Sequence, residues 1–184
     1  MSNTVITTGK VRLSYPHLFV PAEPKGGGDK KYSASIIIPK KDKETLKKIK
    51  AAVEAAKEEG KSKWGGKIPA KLHMPLRDGD EDKPEDEAYA NSYFFSCSST
   101  RQPGVVDRSL QPILDPEEVY PGCYVRVNVN FFAYDSNGNK GIGVGLNHVQ
   151  KLSDGERLGG ASVSVDAAFA DDYEDDDEDE FDFD

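Results

Sequence analysis

The stretch "GCYVRVNVNFFAY", residues 122–134, alternates apolar and polar side chains over most of its length. Because successive side chains of a β-strand point to opposite faces, this alternation predicts a half-buried strand. The apolar face comprises Cys123, Val125, Val127, Val129 and Phe131. The other face comprises Tyr124, Arg126, Asn128, Asn130, Phe132 and Tyr134. That second face carries three aromatic rings and no acidic residue, unlike an ordinary solvent-facing strand, where Lys, Glu, Thr and Ser dominate.

The flanking sequence predicts a sheet built around this strand. Turn residues follow at 135–141, "DSNGNKG", and "IGVGLNHVQKL" then returns as the second strand of a hairpin. The glycines of "GIGVG" leave room for another group to approach closely. Further strands are predicted at 4–15, 31–39, 89–99 and, briefly, 105–114. In the first of these, Val11, Leu13 and Tyr15 share one face.

One helix interrupts the strands. Apolar residues recur at three- and four-residue spacing at Leu46, Ile49, Val53 and Ala56. This period predicts an α-helix over about 43–59, with Asp42 as its N-cap. A single helix among about five strands predicts a mainly β fold, either a small barrel or a sandwich.

Two segments are interpreted as irregular. The stretch "PHLFVPAEPKGGGDKK", 16–31, contains three prolines and three glycines and is interpreted as a mobile connector. Residues 61–90 are interpreted as a long loop that begins basic and becomes acidic. The loop contains the only tryptophan, Trp64.

Charge is distributed unevenly along the chain. The net charge is -9, but residues 171–184 alone carry eleven Asp and Glu and no Lys or Arg. Residues 1–170 hold 24 Lys and Arg against 22 Asp and Glu, and residues 1–76 hold 16 against 7. A basic N-terminal half joined to an acidic end predicts a polyanionic partner and a built-in competitor for it.

Rings interleaved with cations are typical of proteins that bind single-stranded nucleic acid, since bases stack on aromatic side chains while Lys and Arg neutralise phosphates. The candidate contact residues are Lys10, Arg12, Lys31, Trp64, Arg101, Tyr124, Arg126, Phe132 and Tyr134. Lys30, Lys67 and Arg108 are further candidates for the same groove.

An alternative remains open for the aromatic candidates. Phe132 and Tyr134 cover a second layer, under the helix, as readily as they meet bases. Trp64 is the best single candidate for stacking because it lies in a polar loop, but its ring packs back onto the barrel at least as readily.

Catalytic and metal-binding patterns are weak. His17, His73 and His148 are scattered and match no metal spacing. The acidic segment "RDGDEDKPEDEAY" resembles a calcium loop but has lysine where glycine is needed and tyrosine where glutamate is needed. Cys97 and Cys123 are expected to be reduced and buried. We therefore expect no enzyme activity, no metal and no cofactor. A metal-dependent nuclease built on Asp78–Asp82 is a minor alternative.

The sequence contains no stretch of about 20 apolar residues that would cross a bilayer. The N-terminal residues lack the apolar centre of a signal peptide. We expect a cytoplasmic protein without a membrane partner.

The chain resembles the OB-fold single-stranded DNA-binding proteins of tailed bacteriophages. The resemblance lies in "PLRDGDE" at 75–81, in the block 121–160, and in the acidic, phenylalanine-bearing end. It implies a five-stranded OB barrel over 1–160 with one inserted helix, followed by a flexible linker and acidic tail over 161–184. It also implies a protein that coats and protects single-stranded DNA without sequence preference during phage replication, recombination and repair, in the bacterial host cytoplasm.

The acidic end resembles the tails through which bacterial and coliphage single-stranded DNA-binding proteins recruit replication and recombination partners. The residues expected to bind such partners are Asp179, Glu180, Phe181, Asp182, Phe183 and Asp184. The chain ends in aspartate where the related tails end in phenylalanine.

The carboxylates of the tail are also expected to occupy the basic groove when DNA is absent. A protein-interaction or DNA-mimic module that does not itself bind DNA is the alternative reading. The sequence leaves the oligomeric state open, and a homodimer through exchanged tails or edge strands is one arrangement it allows.

Overall fold

The computed structural model describes residues 4–23, 28–136 and 138–158. Their strands are β1 (Val5–Thr7), β2 (Val11–Ala22), β3 (Lys31–Pro39), β4 (Arg77–Asp78), β5 (Ser92–Ser99), β6 (Gly104–Val106), β7 (Tyr124–Ser136) and β8 (Asn139–Ser153). Their helices are α1 (Lys43–Gly60), the short α2 (Gly79–Asp82) and two 3₁₀ turns, Glu87–Tyr89 and Pro116–Glu118. The predicted mainly β class is confirmed. The C-terminal part of the chain, including the expected linker and tail, lies outside the described residues.

The strands form one sheet that closes on itself. Its order is β1-β7-β2-β3-β5-β8-β6, and β7 also pairs with β8. The five long strands therefore form a ring, while the short strands extend its edges. This ring agrees with the five-stranded OB barrel that the family resemblance implies. The predicted hairpin at 135–141 is present, and β7 and β8 pair antiparallel from Tyr124↔Ser153 to Ser136↔Asn139.

The core lies inside the ring, on the face of β7 that the alternation of the sequence predicted to be apolar. Cys123, Val125, Val127, Val129 and Phe131 are each at most 2% exposed. They pack with apolar side chains of the other strands, including Leu13, Ile36, Ile38, Phe95 and Leu146. Burial of a Val, Leu, Ile or Phe side chain is worth about 1.5–3 kcal/mol each. The outward residues of β7 are thereby left free of any role in this core.

Helix α1 closes one end of the ring, one residue longer than predicted. The Asp42 carboxylate accepts a hydrogen bond from the Thr45 amide at 3.2 Å, which confirms Asp42 as the N-cap. The buried face of the helix includes Ile49, Ala52, Val53 and Ala56. At its end Gly60 lies so close to β7 that a Cβ there would be 2.4 Å from the Ala133 Cβ. Only glycine permits this approach.

The strand predicted over 4–15 is two strands, β1 and β2, and β2 ends seven residues beyond the predicted boundary. It continues to Ala22 through residues assigned to a mobile connector, so that part of the prediction is wrong. The pairing with β3 is irregular between Ser14 and His17 and again between His17 and Ala22. Prolines are compatible with a strand at such bulges because no ladder hydrogen bond is required of them there. The periodicity of the sequence does not reveal this tolerance.

The predicted loop 61–90 contains an ordered insertion over its second half. Lys40 Nζ lies 2.9 Å from carboxylate oxygens of both Asp78 and Asp80, and the Asp80 carboxylate accepts the Asn91 amide at 3.0 Å. Both hydrogen bonds lower the pKa of Asp80, and the one from the Asn91 amide has the larger effect. Tyr89 is 1% exposed and donates its hydroxyl hydrogen to Ser14 Oγ at 3.0 Å. The insertion 77–91 is therefore fixed against the outer face of β3 and β5.

Substitution of Gly60 by valine tests the seating of α1. We expect Gly60→Val to lower the free energy of unfolding by about 1–3 kcal/mol, because the added atoms overlap Ala133 and the Trp64 ring. Urea unfolding followed by circular dichroism measures the change. Lys50→Val, on the exposed face of the same helix, is the matched control and should stay within about 0.5 kcal/mol. Equal losses in both variants would contradict the account.

Candidate nucleic-acid interface

A groove of about 1040 Å³ runs over the outer face of β3 and β5. One wall consists of the bulged part of β2 together with Glu23, and the other of the segment 73–77 and the start of β8. His73 extends the sheet beside β8, donating its amide hydrogen to the Lys140 carbonyl and accepting the Ile142 amide. The groove is thus bounded on both sides by backbone held in place by hydrogen bonds.

The floor of the groove consists of serines. Ser33 pairs with Ser98 and Ser35 with Ser96, and the Ser35 and Ser96 hydroxyl oxygens lie 3.3 Å apart. Between them, Ala34 and Cys97 point into the core. Small outward side chains let a flat group lie close to the sheet, and their hydroxyls both donate and accept hydrogen bonds. The floor is therefore shallow and polar, without being charged.

Aromatic rings flank this floor at the end of β7. Tyr134 lines the groove, and Phe132 is 42% exposed beside it. Both rings lie against the glycines of β8: a Cβ at Gly143 would be 2.6 Å from Phe132 Cζ, and one at Gly141 would be 2.7 Å from the Tyr134 hydroxyl. The glycines thus provide the close approach that their sequence predicted. Because Phe132 is exposed and Tyr134 lines the groove, the structure favours the nucleic-acid alternative for these rings over a second layer under the helix.

Cations outnumber acids along the groove. Its lining includes the cations Lys31, Arg77 and Lys83 and the acids Glu23 and Asp82. Arg77 is 4.0 Å from Asp82, with its side chain 61% exposed, and exposed ion pairs of this kind are worth little. The guanidinium is therefore available to a phosphate at small cost.

A second group of the predicted residues lies at the opposite end of β7, and we call it the edge cluster: Lys10, Arg12 and Tyr124. Lys10 Nζ is 4.7 Å and Arg12 Cζ is 5.7 Å from the centroid of the Tyr124 ring. Arg12 also donates to the carbonyls of Gly122 and Glu156, at 3.2 and 2.6 Å. Tyr124 and Tyr134 are ten residues apart, or about 33 Å along an extended strand. The predicted face of β7 therefore serves two separate surfaces.

The remaining predicted cations lie outside both surfaces. Arg126 is exposed but uses its Nε to donate to the Thr8 carbonyl at 3.1 Å. Arg101 is exposed in the connection after β5, three residues beyond the groove residue Ser98. Neither residue lines the groove.

Trp64 is buried, which is the second of the two alternatives that the sequence allowed. It is 6% exposed, its Nε1 donates to the Tyr134 carbonyl at 3.0 Å, and its ring contacts Gly60. The stacking alternative rested on the polar residues around Trp64 in the sequence. Those residues are exposed on a turn, whereas the Trp64 ring points inward. In this conformation Trp64 supports the backbone of a groove residue and offers no surface to a base.

The histidines and cysteines lie in different surroundings. His17 and His73 line the groove, and the His148 Nδ1 accepts the Gly104 amide at 3.2 Å. Both cysteines are free and buried, and burial raises the pKa of the Cys97 thiol to about 12 and that of Cys123 in the same direction. Within the described ranges no group of three or more His, Cys, Asp or Glu is placed to hold a metal ion. No helix among them is long and apolar enough to span a membrane.

Sequence reasoning missed most of the groove. It did not select the serine floor, nor Tyr15, Arg77 and Lys83 on the walls. A signal was present for the floor, since serines alternate with small apolar residues in "YSAS" and "SCSS". The wall residues gave no such signal, because their position depends on a bulge in β2 and on the fold of the 77–91 insertion.

Comparison with known proteins places this chain among relatives from phages. The model of a family described as "Enterobacter phage Enc34, ssDNA-binding protein" matches residues 4–181. A putative protein p50 of Acyrthosiphon pisum secondary endosymbiont phage 1 is 36% identical over 169 residues, covering 86% of this chain and 89% of that protein.

Solved structures agree with these matches. The single-stranded DNA-binding protein of bacteriophage Enc34, in complex with ssDNA, is similar with a TM-score of 0.74 and 28% identity, over 85% of this chain and 90% of that one. The single-stranded DNA-binding protein gp2.5 of bacteriophage T7 matches with a TM-score of 0.60 over 93% of this chain and 95% of that one. Its identity of 17% shows a shared fold only.

The burial of the cysteines has a chemical consequence. A thiol with a pKa of about 12 is ionised to about one part in ten thousand at pH 8, and the thiolate is the form that reacts. We expect iodoacetamide at pH 8 to leave Cys97 unmodified in the native protein and to modify both cysteines in guanidinium, as mass spectrometry of the products reports. Stoichiometric modification of Cys97 without denaturant would contradict its place in the core.

Proposed function

The chain belongs to the family of the Enterobacter phage Enc34 ssDNA-binding protein, and we propose that it binds single-stranded DNA without sequence preference in the groove over β3 and β5. Residues 1–160 would form the binding domain and 161–184 a linker and tail. The protein coats and protects single strands in phage replication, recombination and repair, in the cytoplasm of the bacterial host, and it does so without enzymatic activity. The observation that carries the proposal is an open groove that joins a serine floor, exposed rings and three cations.

Each part of the groove suits one part of a DNA strand. The rings at the end of β7 offer stacking surfaces, which are worth about 1–3 kcal/mol per base and tolerate any base. Lys31, Arg77 and Lys83 are placed to neutralise phosphates, which carry no sequence information. The serine floor offers hydroxyls that rotate to suit a donor or an acceptor. These properties favour binding that is strong in total and indifferent to sequence.

The edge cluster extends this binding surface for longer strands. Its one ring and two cations combine the same side-chain types as the groove but lie apart from it, and Arg126 and Arg101 are exposed outside both surfaces. A short DNA strand confined to the groove would not reach Lys10. A longer DNA strand that continues around the ring of β-strands would. Family members of the OB type cover about 4–16 nucleotides per domain, which leaves room for both cases.

The acidic tail acts as a competitor for DNA and as a recruiting segment for replication and recombination proteins. Its eleven carboxylates over 171–184 are opposite in charge to residues 1–76, where 16 Lys and Arg stand against 7 Asp and Glu. The partner-binding residues proposed are Asp179, Glu180, Phe181, Asp182, Phe183 and Asp184, which lie outside the described residues. A homodimer through exchanged tails or edge strands stays a prediction.

Paired charge removals test the groove. We expect Lys31→Ala combined with Arg77→Ala to weaken binding of oligo-dT of about 6 and about 20 nucleotides alike. Loss of two phosphate contacts should reduce the slope of log K against log salt by about 1.4. Lys10→Ala should weaken only the longer strand. Fluorescence anisotropy over a salt series measures all three.

Lys47→Ala combined with Lys50→Ala removes the same charge from the exposed face of α1 and is the matched control. If this pair lowers the slope as much as the groove pair does, binding is a general charge effect and the groove is not the site. If the wild-type protein binds neither oligonucleotide, the reading as a DNA-mimic or protein-interaction module replaces the proposal.

Removal of the tail charge tests the competition. We expect a chain ending at residue 170 to bind oligo-dT more tightly than the full chain, with the greatest difference at low salt, where screening is weakest. A full-length chain with the Asp and Glu of 171–184 changed to Asn and Gln should behave in the same way. Equal affinity of all three proteins across the salt series would exclude competition, while leaving partner recruitment untouched.

A further inference from the structure

Tyr15 breaks the alternation of its strand. Val11 and Leu13 are at most 1% exposed and point into the core, so regular pleating would bury the residue at position 15 with them. Tyr15 is instead 55% exposed and lines the groove. The next fully buried residue of the strand is Leu18, at 2% exposure, so the buried positions change from odd to even across Tyr15. The sequence prediction that Tyr15 shares the buried face is therefore wrong.

A bulge in β2 is the cause. Ser14 pairs with Ser35 and His17 with Ser33, so this part of β2 contains one more residue than the part of β3 that it faces. Tyr15 takes up the extra length with φ of +46°, in the left-handed region, which is uncommon for a residue other than glycine, asparagine or aspartate. Bulges re-aim side chains and are frequent beside functional sites. Tyr15 therefore has an unfavourable backbone conformation, and this conformation turns its aromatic ring into the groove.

A lysine from the insertion meets this ring. Lys83 Nζ lies 5.7 Å from the centroid of Tyr15, 5.1 Å from that of Tyr89 and 5.9 Å from that of Phe94. Tyr89 and Phe94 are buried and pack edge to face, so they form a fixed base for the ammonium group. Lys83 ends α2 with its amide bonded to the Gly79 carbonyl at 2.9 Å. The Lys40 contacts to Asp78 and Asp80 hold that helix in place.

We propose that Tyr15 is a base-stacking residue at this end of the groove and that Lys83 both positions its ring and contacts the adjoining phosphate. The inference rests on the proposed function and names the residues that act there. A base is flat, and Tyr15, at 55% exposure, is open to one. The phosphates flanking a stacked base carry the charge that an ammonium beside the ring would neutralise.

Leu110 supplies a matched control for the backbone. It has φ of +64° and is 68% exposed, but it lies in the connection between β6 and β7 and is not part of the groove lining. Asparagine tolerates the left-handed region. Tyr15→Asn and Leu110→Asn therefore relieve the same backbone constraint, and only the first removes a ring from the groove.

The experiment compares oligo-dT affinity by fluorescence anisotropy at one salt concentration. We expect Tyr15→Asn to bind about 10-fold more weakly, Tyr15→Phe and Leu110→Asn to bind like wild type, and Tyr15→Trp to bind well, with tryptophan emission that is quenched on binding. Wild type, whose Trp64 is buried, should show little quenching. Equal binding by wild type and Tyr15→Asn overturns the inference but not the proposed function, whereas failure of wild type to bind overturns the proposed function.

Lys83 is tested by the salt dependence. We expect Lys83→Gln to reduce the slope of log K against log salt by about 0.7, the value for one phosphate on a single strand, and Lys83→Arg to restore it. Thermal unfolding verifies that both variants are folded. The slope counts the phosphates that the protein neutralises, so a lysine with only a structural role would leave it unchanged. An unchanged slope in folded Lys83→Gln therefore overturns the phosphate contact.

Discussion

Closure of the sheet by the pairing of β7 with β8 is the constraint on which the rest of the structure depends. The two strands pair over their whole length, and between them they hold β1, β2, β5 and β6. Closure forces one face of each long strand inward, and the valines of β7 fill that interior. It also leaves each strand with an outward face, of which Ile37 and Phe94 pack with Tyr89 of the insertion while the serines of β3 and β5 line the groove. The groove that we propose as the binding surface is made from outward residues of these strands.

Three local devices convert the outward face into a groove. Small residues leave space beside the sheet: the serines of β3 and β5 form the floor, and Gly141 and Gly143 let Tyr134 and Phe132 lie close to the sheet. The bulge at Tyr15 turns a ring out of β2. The insertion 77–91, held by Lys40, adds Arg77 and Lys83 to the wall. Each device depends on the closed ring to hold its parts in register.

The sequence predicted the regular part of this molecule well, because regular elements follow from short-range periodicity. The two faces of β7, the helix at 43–59 and the hairpin at 135–141 all depend on residues within a few positions of one another. Prediction failed where the outcome depends on distant pairing. Proline-rich 16–22 is a strand because β3 accepts its bulges, and Trp64 is buried because Gly60 brings α1 against β7. The candidate site was divided for the same reason: a strand face ten residues long cannot show that its two ends meet different neighbours.

The account is tested most directly by locating the DNA on the protein. Single-stranded DNA of about 6 nucleotides carrying 5-iododeoxyuridine, irradiated on the intact protein and mapped by mass spectrometry, reports which side chains touch the bases. We predict that cross-links fall on groove residues, chiefly Tyr134 and its neighbours on the walls. Cross-links confined to Tyr124 and the rest of the edge cluster would contradict the central claim that the groove over β3 and β5 is the primary DNA-binding site.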